Sequence, residues 1–247
     1  MRKVLFVLIG MFNSLFKVIG REIVSVTRLD NVKRLRSRLI LTEGIDLILD
    51  VGANCGQYAI EVRSLNYKNK IISFEPVKEP FQQLEKVSKA DNLWDVYNYA
   101  LGEKKSELFI NVAEKTVRSS FLDMSEERFN LAPNTKRGEY LRREIVNIMP
   151  LDGVFSELVD GSENIMLKID TQGYERNVLN GALKSLPKIK IIQVEASLVP
   201  LYDGEMVIDE LLDHMKSFGF ELVLIEPGFC NPKTGRQLQV DCIFKKK

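Results

Sequence analysis

Residues 47 to 57, Leu47-Ile48-Leu49-Asp50-Val51-Gly52-Ala53-Asn54-Cys55-Gly56-Gln57, constrain the fold of this 247-residue chain more than any other stretch. An apolar run too short for a helix ends on an acid, and a glycine-rich turn follows at once. Beyond it, Tyr58-Ala59-Ile60-Glu61-Val62 starts a helical pattern. A buried parallel strand, a tight turn and a helix N-terminus read this way, and the crevice they form takes a nucleotide-like ligand. Gly52 and Gly56 are expected to let the backbone approach that ligand without a Cβ in the way.

The next strand narrows the ligand. Lys70-Ile71-Ile72-Ser73-Phe74-Glu75 runs apolar into a carboxylate, and Pro76 ends the ladder by withholding an N–H. A carboxylate at that strand end can accept two hydrogen bonds from a ribose diol; the plain alternative is a surface Glu on a strand terminus. A dinucleotide turn needs G-x-G-x-x-G, whereas Ala53-Asn54-Cys55 separate the two glycines here, so the glycine that admits a pyrophosphate is missing. S-adenosylmethionine, with a ribose and no phosphate, fits better than nicotinamide or flavin dinucleotides.

Charge divides the chain. Up to Ile40, nine Lys/Arg stand against Glu22 and Asp30, leaving +7; with a net charge of +1 overall, the remainder carries −6. The acidic body suits a cationic sulfonium cofactor, and no nucleic-acid partner is expected. Residues 1–40 thus form a basic, apolar N-terminal segment apart from a body at 41–247. Within it Leu5, Leu8, Phe12, Ile19, Ile23 and Val26 keep helical spacing. The uninterrupted apolar run falls short of the ~18 to 20 residues that span a bilayer. Two readings stay open for residues 1–26: an amphipathic helix lying on an anionic membrane, or a helix packed on the body's own sheet.

From Leu47 onward strands alternate with helices. Strands are expected at 47–51, 70–75, 94–98, 164–170, 190–195, 220–226 and 239–244, and helices at 56–65, 77–90, 174–185 and 206–218. Phe81, Leu84 and Val87 should face inward on the second helix, and Ile208, Leu211, Leu212, Met215 and Phe218 on the last. Two final strands with no helix between them make the last one antiparallel. Residues 103–150 break the rhythm with two short strands, 107–112 and 144–149, around a polar middle that holds Pro133, Asn134 and Gly138. This reads as an insertion over the crevice. Lys245-Lys246-Lys247 reads as a solvated end.

Three widely spaced cysteines, Cys55, Cys230 and Cys242, support neither a disulfide framework nor a zinc site, so a reducing cytoplasm is the default. The single histidine, His214, excludes a multi-histidine metal centre and reads as half-packed; no metal site is assigned, although carboxylate binding of a divalent ion stays open. Asp50, Asp170 and Glu195 end or nearly end strands and should converge on one crevice. Lys168 and Asp170 share a strand face, and Glu175 falls where it would favour a helix dipole. Arg118, Ser119 and Ser120 in the insertion could meet a polar acceptor.

Taken together, Asp50-Val51-Gly52-Ala53-Asn54-Cys55-Gly56, Phe74-Glu75-Pro76, Asn98-Tyr99-Ala100-Leu101-Gly102, Ser119-Ser120, Leu151-Asp152 and Lys168-Ile169-Asp170-Thr171-Gln172-Gly173-Tyr174-Glu175 resemble the FkbM family of S-adenosylmethionine-dependent methyltransferases. The resemblance covers residues 47–220 and implies an α/β, Rossmann-like class I methyltransferase fold, doubly wound, with a mostly parallel seven-stranded sheet and an antiparallel last strand. It implies S-adenosylmethionine as cofactor and O-methylation of a small-molecule or glycan-type hydroxyl. Gly52 and Gly56, with Asp50 and Asn54 of the same motif, would then bind the cofactor; Glu75 would hold its ribose and Ala100 border its adenine. Asp170, Gly173 and Glu175 would lie near the methyl group. Asp170 is the first candidate for base or metal ligand, and Glu195 the second. The alternatives are a nicotinamide-dependent oxidoreductase and a non-catalytic, membrane-associated nucleotide-binding module.

Overall fold

The computed structural model describes residues 31–132, 140–159 and 161–247. The chain divides into two compact units, Met1–Arg36 and Ser37–Lys247. The expected membrane-contacting helix at 1–26, and Pro133, Asn134 and Gly138, lie outside the described residues. Among the described residues no helix is long and apolar enough to cross a membrane.

Helix α1 (Asn31–Thr42) is followed by β1 (Leu47–Val51), α2 (Gln57–Ser64), β2 (Lys70–Phe74), α3 (Lys78–Ser88) and β3 (Trp94–Tyr97). Then come β4 (Ala100–Leu101), β5 (Ser106–Ala113), the short α4 (Glu126–Leu131), β6 (Tyr140–Met149), α5 (Leu151–Val159), β7 (Ile165–Ile169) and α6 (Glu175–Asn180). Strand β8 (Ile189–Ser197), α7 (Ile208–Ser217), β9 (Phe220–Pro227) and β10 (Gln239–Lys246) complete the chain. Seven strands form one sheet in the order β3-β2-β1-β7-β8-β10-β9, with β10 antiparallel to both of its neighbours and the first five strands parallel.

Period-two alternation assigns the two faces. In β1, Leu47, Leu49 and Val51 join one buried cluster with Phe155 and Leu158 of α5, Val178 of α6 and Leu211 and Met215 of α7. Ile48 joins the other, with Ile40, Ala59 and Val62 of α2, and Leu84 of α3. Helices therefore cover both faces, and the order of connection reverses between β1 and β7. Beyond the carboxyl ends of those two strands lies the crevice of a doubly wound sheet. Residues 100–149 contribute a second sheet, β4-β6-β5, in which β5 and β6 run longer than the two short strands expected.

Three expectations need correction. Val87 is 40% exposed, because the inner face of α3 follows i, i+4 steps through Pro80, Leu84 and Ser88. The helix expected at 174–185 stops at Asn180: at Gly181 the backbone packs on the Gly102 carbonyl, which an added Cβ would meet at 1.9 Å. Ala182 and Leu186 beyond that stop remain buried, as does Leu179 before it, since apolar spacing does not separate a helix from a run of buried turns. Lastly, the terminal lysines are engaged. Lys245 Nζ lies 2.6 Å from Glu43, and Lys246 Nζ donates to the Phe218 carbonyl at 2.7 Å.

Candidate active site

The turn after β1 is locked to both neighbouring strands. Gly52 N and Ala53 N donate to the Phe74 carbonyl at 3.1 and 3.0 Å, and Asp170 N donates back to the Val51 carbonyl at 3.1 Å. The two glycines are demanded by this packing. At Gly52 (φ 76°) a Cβ would fall 1.9 Å from the Asp170 carbonyl oxygen; at Gly56 (φ 89°) it would fall 2.7 Å from the Trp94 ring. Asn54 is left-handed too (φ 47°), a conformation that Asn tolerates better than most residues. Its amide nitrogen donates to Thr116 Oγ1 at 3.1 Å, so the 103–150 segment touches the turn.

Glu75, just past β2, is 5% exposed. Its Oε2 accepts from Asn54 N and its Oε1 from Val77 N, both at 2.8 Å. Burial pushes its carboxyl up to about 7, against the pull of those two N–H donors. Each oxygen keeps a second lone pair, so the group can still accept from two hydroxyls. Asn98 fixes the same corner by donating to the Glu75 and Pro76 carbonyls. Beside it Phe74, Tyr97 and Tyr99 cluster, with ring centroids 5.4 to 5.7 Å apart. Ala100, expected near the adenine, is buried in β4 against Ile148 of β6.

The carboxylates expected at strand ends occupy different depths. Asp50 is fully buried, on the face of β1 opposite Leu49. It is ion-paired to Lys168 at 3.1 Å and accepts from Ser73 Oγ at 3.2 Å. Lys168 also lies 3.5 Å from Asp170 and donates to the Gly52 carbonyl at 3.3 Å. Burial disfavours its charge, but Asp50 and Asp170 outweigh that and raise its pKa. Asp170 keeps 37% of its side chain exposed. Glu195 is half-buried, and its Oε2 accepts from both Gln172 Nε2 (2.6 Å) and Gln239 Nε2 (2.9 Å). Burial, and then the charge of Asp170, lift its carboxyl well above the usual range.

The turn after β7 repeats the pattern of the turn after β1. Gln172 is left-handed (φ 53°) and so is Gly173 (φ 98°). Glu175 holds this turn together, its Oε1 accepting from Thr171 N, Thr171 Oγ1 and Gly173 N at 2.8 to 3.2 Å, while burial raises its carboxyl to about 7. It serves as a turn cap, a closer role than the helix-dipole partner read from its position. Ser120 Oγ donates to the Gln172 carbonyl at 2.6 Å and Ser119 Oγ accepts from Ala113 N, so both serines secure backbone. His214 packs edge-on against Phe218, 5.0 Å between centroids, and burial followed by Arg176 lowers its pKa.

Sequence reading missed Gln172, which touches both candidate bases, and the Tyr202 beneath it. A non-glycine residue between a strand-end acid and a glycine was the available signal for Gln172. Tyr202, far along the chain, left none. Among the described residues, no three His, Cys, Asp or Glu side chains converge as metal ligands.

Strand order, switch point and acid-ended second strand define a class I methyltransferase fold. The Methyltransferase FkbM domain matches residues 50–222, and the chain belongs to that family. It is an S-adenosylmethionine-dependent methyltransferase, which sets aside the oxidoreductase and the silent binding module. A curated relative, the 2-O-methyltransferase NoeI of Sinorhizobium fredii (strain NBRC 101917 / NGR234), is 25% identical over 177 residues, 70% of this chain and 72% of that protein. Solved structures with likeness include the fibrillarin/Nop5p complex (12% identity, 87% of this chain and 84% of that one, TM-score 0.48). Another is precorrin-6y C5,15-methyltransferase from Geobacter metallireducens GS-15 (12%, 87% of each, TM-score 0.43). The cofactor fits the residues present: Glu75 offers two spare lone pairs beside an aromatic cluster, at a turn that lacks the pyrophosphate glycine.

Proposed function

We propose that the protein methylates a hydroxyl of a sugar or glycan-type acceptor and that Asp170 receives the hydroxyl proton. The observation that carries the reading is the placement of Asp170. It stands past the carboxyl end of β7 at the switch point, and more than a third of its side chain is open, whereas Asp50 is sealed below it. Lys168 at one oxygen and Gln172 at the other leave each a lone pair for an incoming hydroxyl.

S-adenosylmethionine supplies a methyl group activated by sulfonium charge. The chain's task is to hold two reactants in line, and orientation of this kind contributes ~7 to 11 kcal/mol of barrier reduction. Glu75 and the Gly52–Gly56 turn fix one side of the crevice, and Asp170 meets the acceptor on the other. Proton transfer to a placed carboxylate adds ~10²- to 10⁴-fold. The 2-O-methyltransferase relative supports oxygen as the atom methylated.

Methyl-labelled S-adenosylmethionine offered with a panel of glycosides, amines and thiols tests both parts. Label should enter a glycoside hydroxyl, located in the product by NMR. Asp170→Asn should lower kcat by ~10²- to 10⁴-fold with S-adenosylhomocysteine affinity unchanged, the pattern of a group acting mainly in the transition state. Label in amines or thiols alone would overturn the acceptor class. Near-normal turnover by Asp170→Asn would remove that residue from the chemistry and leave Glu195 as the next base to test.

A further inference from the structure

We propose that Gln172 is a positioning residue that aims the Asp170 carboxylate at the transfer site, a role that rests on Asp170 being the proton acceptor. Every polar atom of its side chain is committed. Nε2 donates to Asp170 Oδ1 at 3.0 Å and to Glu195 Oε2 at 2.6 Å, while Oε1 accepts from the Tyr202 hydroxyl at 2.8 Å. This orientation sets a donor on the Asp170 oxygen proposed to accept the proton; turned over, the amide would set an acceptor oxygen against it.

The backbone of Gln172 gives the second argument. At φ 53° it occupies a region that a non-glycine residue enters only at a cost, and its neighbour Gly173 shows that glycine is available to this turn. A segment needing only the turn would do better with glycine at both positions. The side chain therefore compensates the strain through the bridge it makes. That bridge is braced from outside the turn: Ser120 Oγ holds the Gln172 carbonyl, and the Arg128 guanidinium stacks over the Tyr202 ring 4.6 Å from its centroid. Tyr202 itself is fully buried, so the donor to Oε1 has one place to be. Ser120 and Arg128 both come from the 103–150 segment, which thereby holds the Asp170 side chain through Gln172.

The decisive variant is Gln172→Gly, which relieves the backbone and removes only the bridge. Its kcat for the glycoside identified in the panel should fall on the order of 100-fold, the usual consequence of a reacting group displaced by about an ångström. Its acceptor KM and its S-adenosylhomocysteine affinity should stay unchanged, while its melting temperature should drop moderately because the buried Tyr202 hydroxyl loses its acceptor. Full kcat in Gln172→Gly would overturn the proposal. Should that variant fail to fold, Gln172→Asn keeps an amide that is one methylene too short to span both carboxyls and should lose turnover likewise; full turnover there overturns the proposal equally. Asp170→Asn, run in parallel, separates the two ideas. An active Asp170→Asn removes the base assignment itself, whereas an inactive Asp170→Asn beside a fully active Gln172→Gly removes only the positioning role. A readout free of acceptor comes from NMR of the Gln172 side-chain amide. Its two N–H protons should exchange slowly and shift in Asp170→Asn, and rapid exchange in the unaltered protein would refute the bridge.

Discussion

Gly52→Ala is the sharpest test of how the cofactor turn is built. The added methyl would sit 1.9 Å from the Asp170 carbonyl oxygen and 2.9 Å from its carbon, where about 3.5 Å is comfortable. Both partners are backbone, so no rotamer change can relieve the contact. Strands β1 and β7 must part at their carboxyl ends, loosening Asp170 N to Val51 O (3.1 Å) and Lys168 Nζ to Gly52 O (3.3 Å). Two such bonds contribute about 1 kcal/mol each, and an alanine at φ 76° adds roughly 1 to 2 kcal/mol. The expected loss is therefore about 3 to 4 kcal/mol. Gly44→Ala is the control: its φ is 63° and nothing lies within 4 Å of the added Cβ, so only the backbone term of roughly 1 to 2 kcal/mol applies. Urea unfolding followed by circular dichroism measures both, with a midpoint fall of ~1.5 to 2 M for Gly52→Ala if the slope is about 2 kcal/mol/M. S-adenosylhomocysteine affinity should drop with it. Equal midpoints for the two variants would refute the close approach as the reason for glycine at position 52.

Two further outcomes follow from the buried charges. Burial keeps Glu75 protonated up to about 7 in the folded protein, against 4.5 for a free carboxyl, so its contribution to stability is full below 4.5 and is lost as pH rises through about 7. Cofactor hydroxyls favour the charged form, hence calorimetric affinity for S-adenosylhomocysteine should rise across pH 7 and stay level in Glu75→Gln; a level curve in the unaltered protein would refute the ribose role. Lys168→Met should cost roughly 3 to 5 kcal/mol by stranding the sealed Asp50 carboxylate, and adding Asp50→Asn should recover part of it; a double variant no more stable than the single one would show that the pair is not coupled.

What the sequence by itself determined is everything that depends on neighbours along the chain. Leu47 to Val51 could only be a strand buried on both faces, being apolar at every position but Asp50, and the glycines after it could only be a turn. The same local logic placed Glu75 at a strand end and made β10 antiparallel, since no helix intervenes before it. Local logic could not say why those residues are needed. Gly52 read as a ligand contact, and its missing Cβ is also required by the Asp170 backbone just past β7, far along the chain, because a missing Cβ reports close approach without naming what approaches. Asp50, Asp170 and Glu195 all read as carboxylates at or near strand ends, with Asp170 ahead of Glu195 as candidate base. Their different depths follow from which strand lies beside which, and sheet order is a non-local property. The link from Arg128 through Tyr202 and Gln172 to Asp170 joins three separated stretches of chain. Only tertiary structure assembles it, because a hydrogen bond between distant residues imposes no period, spacing or composition on the sequence that encodes it.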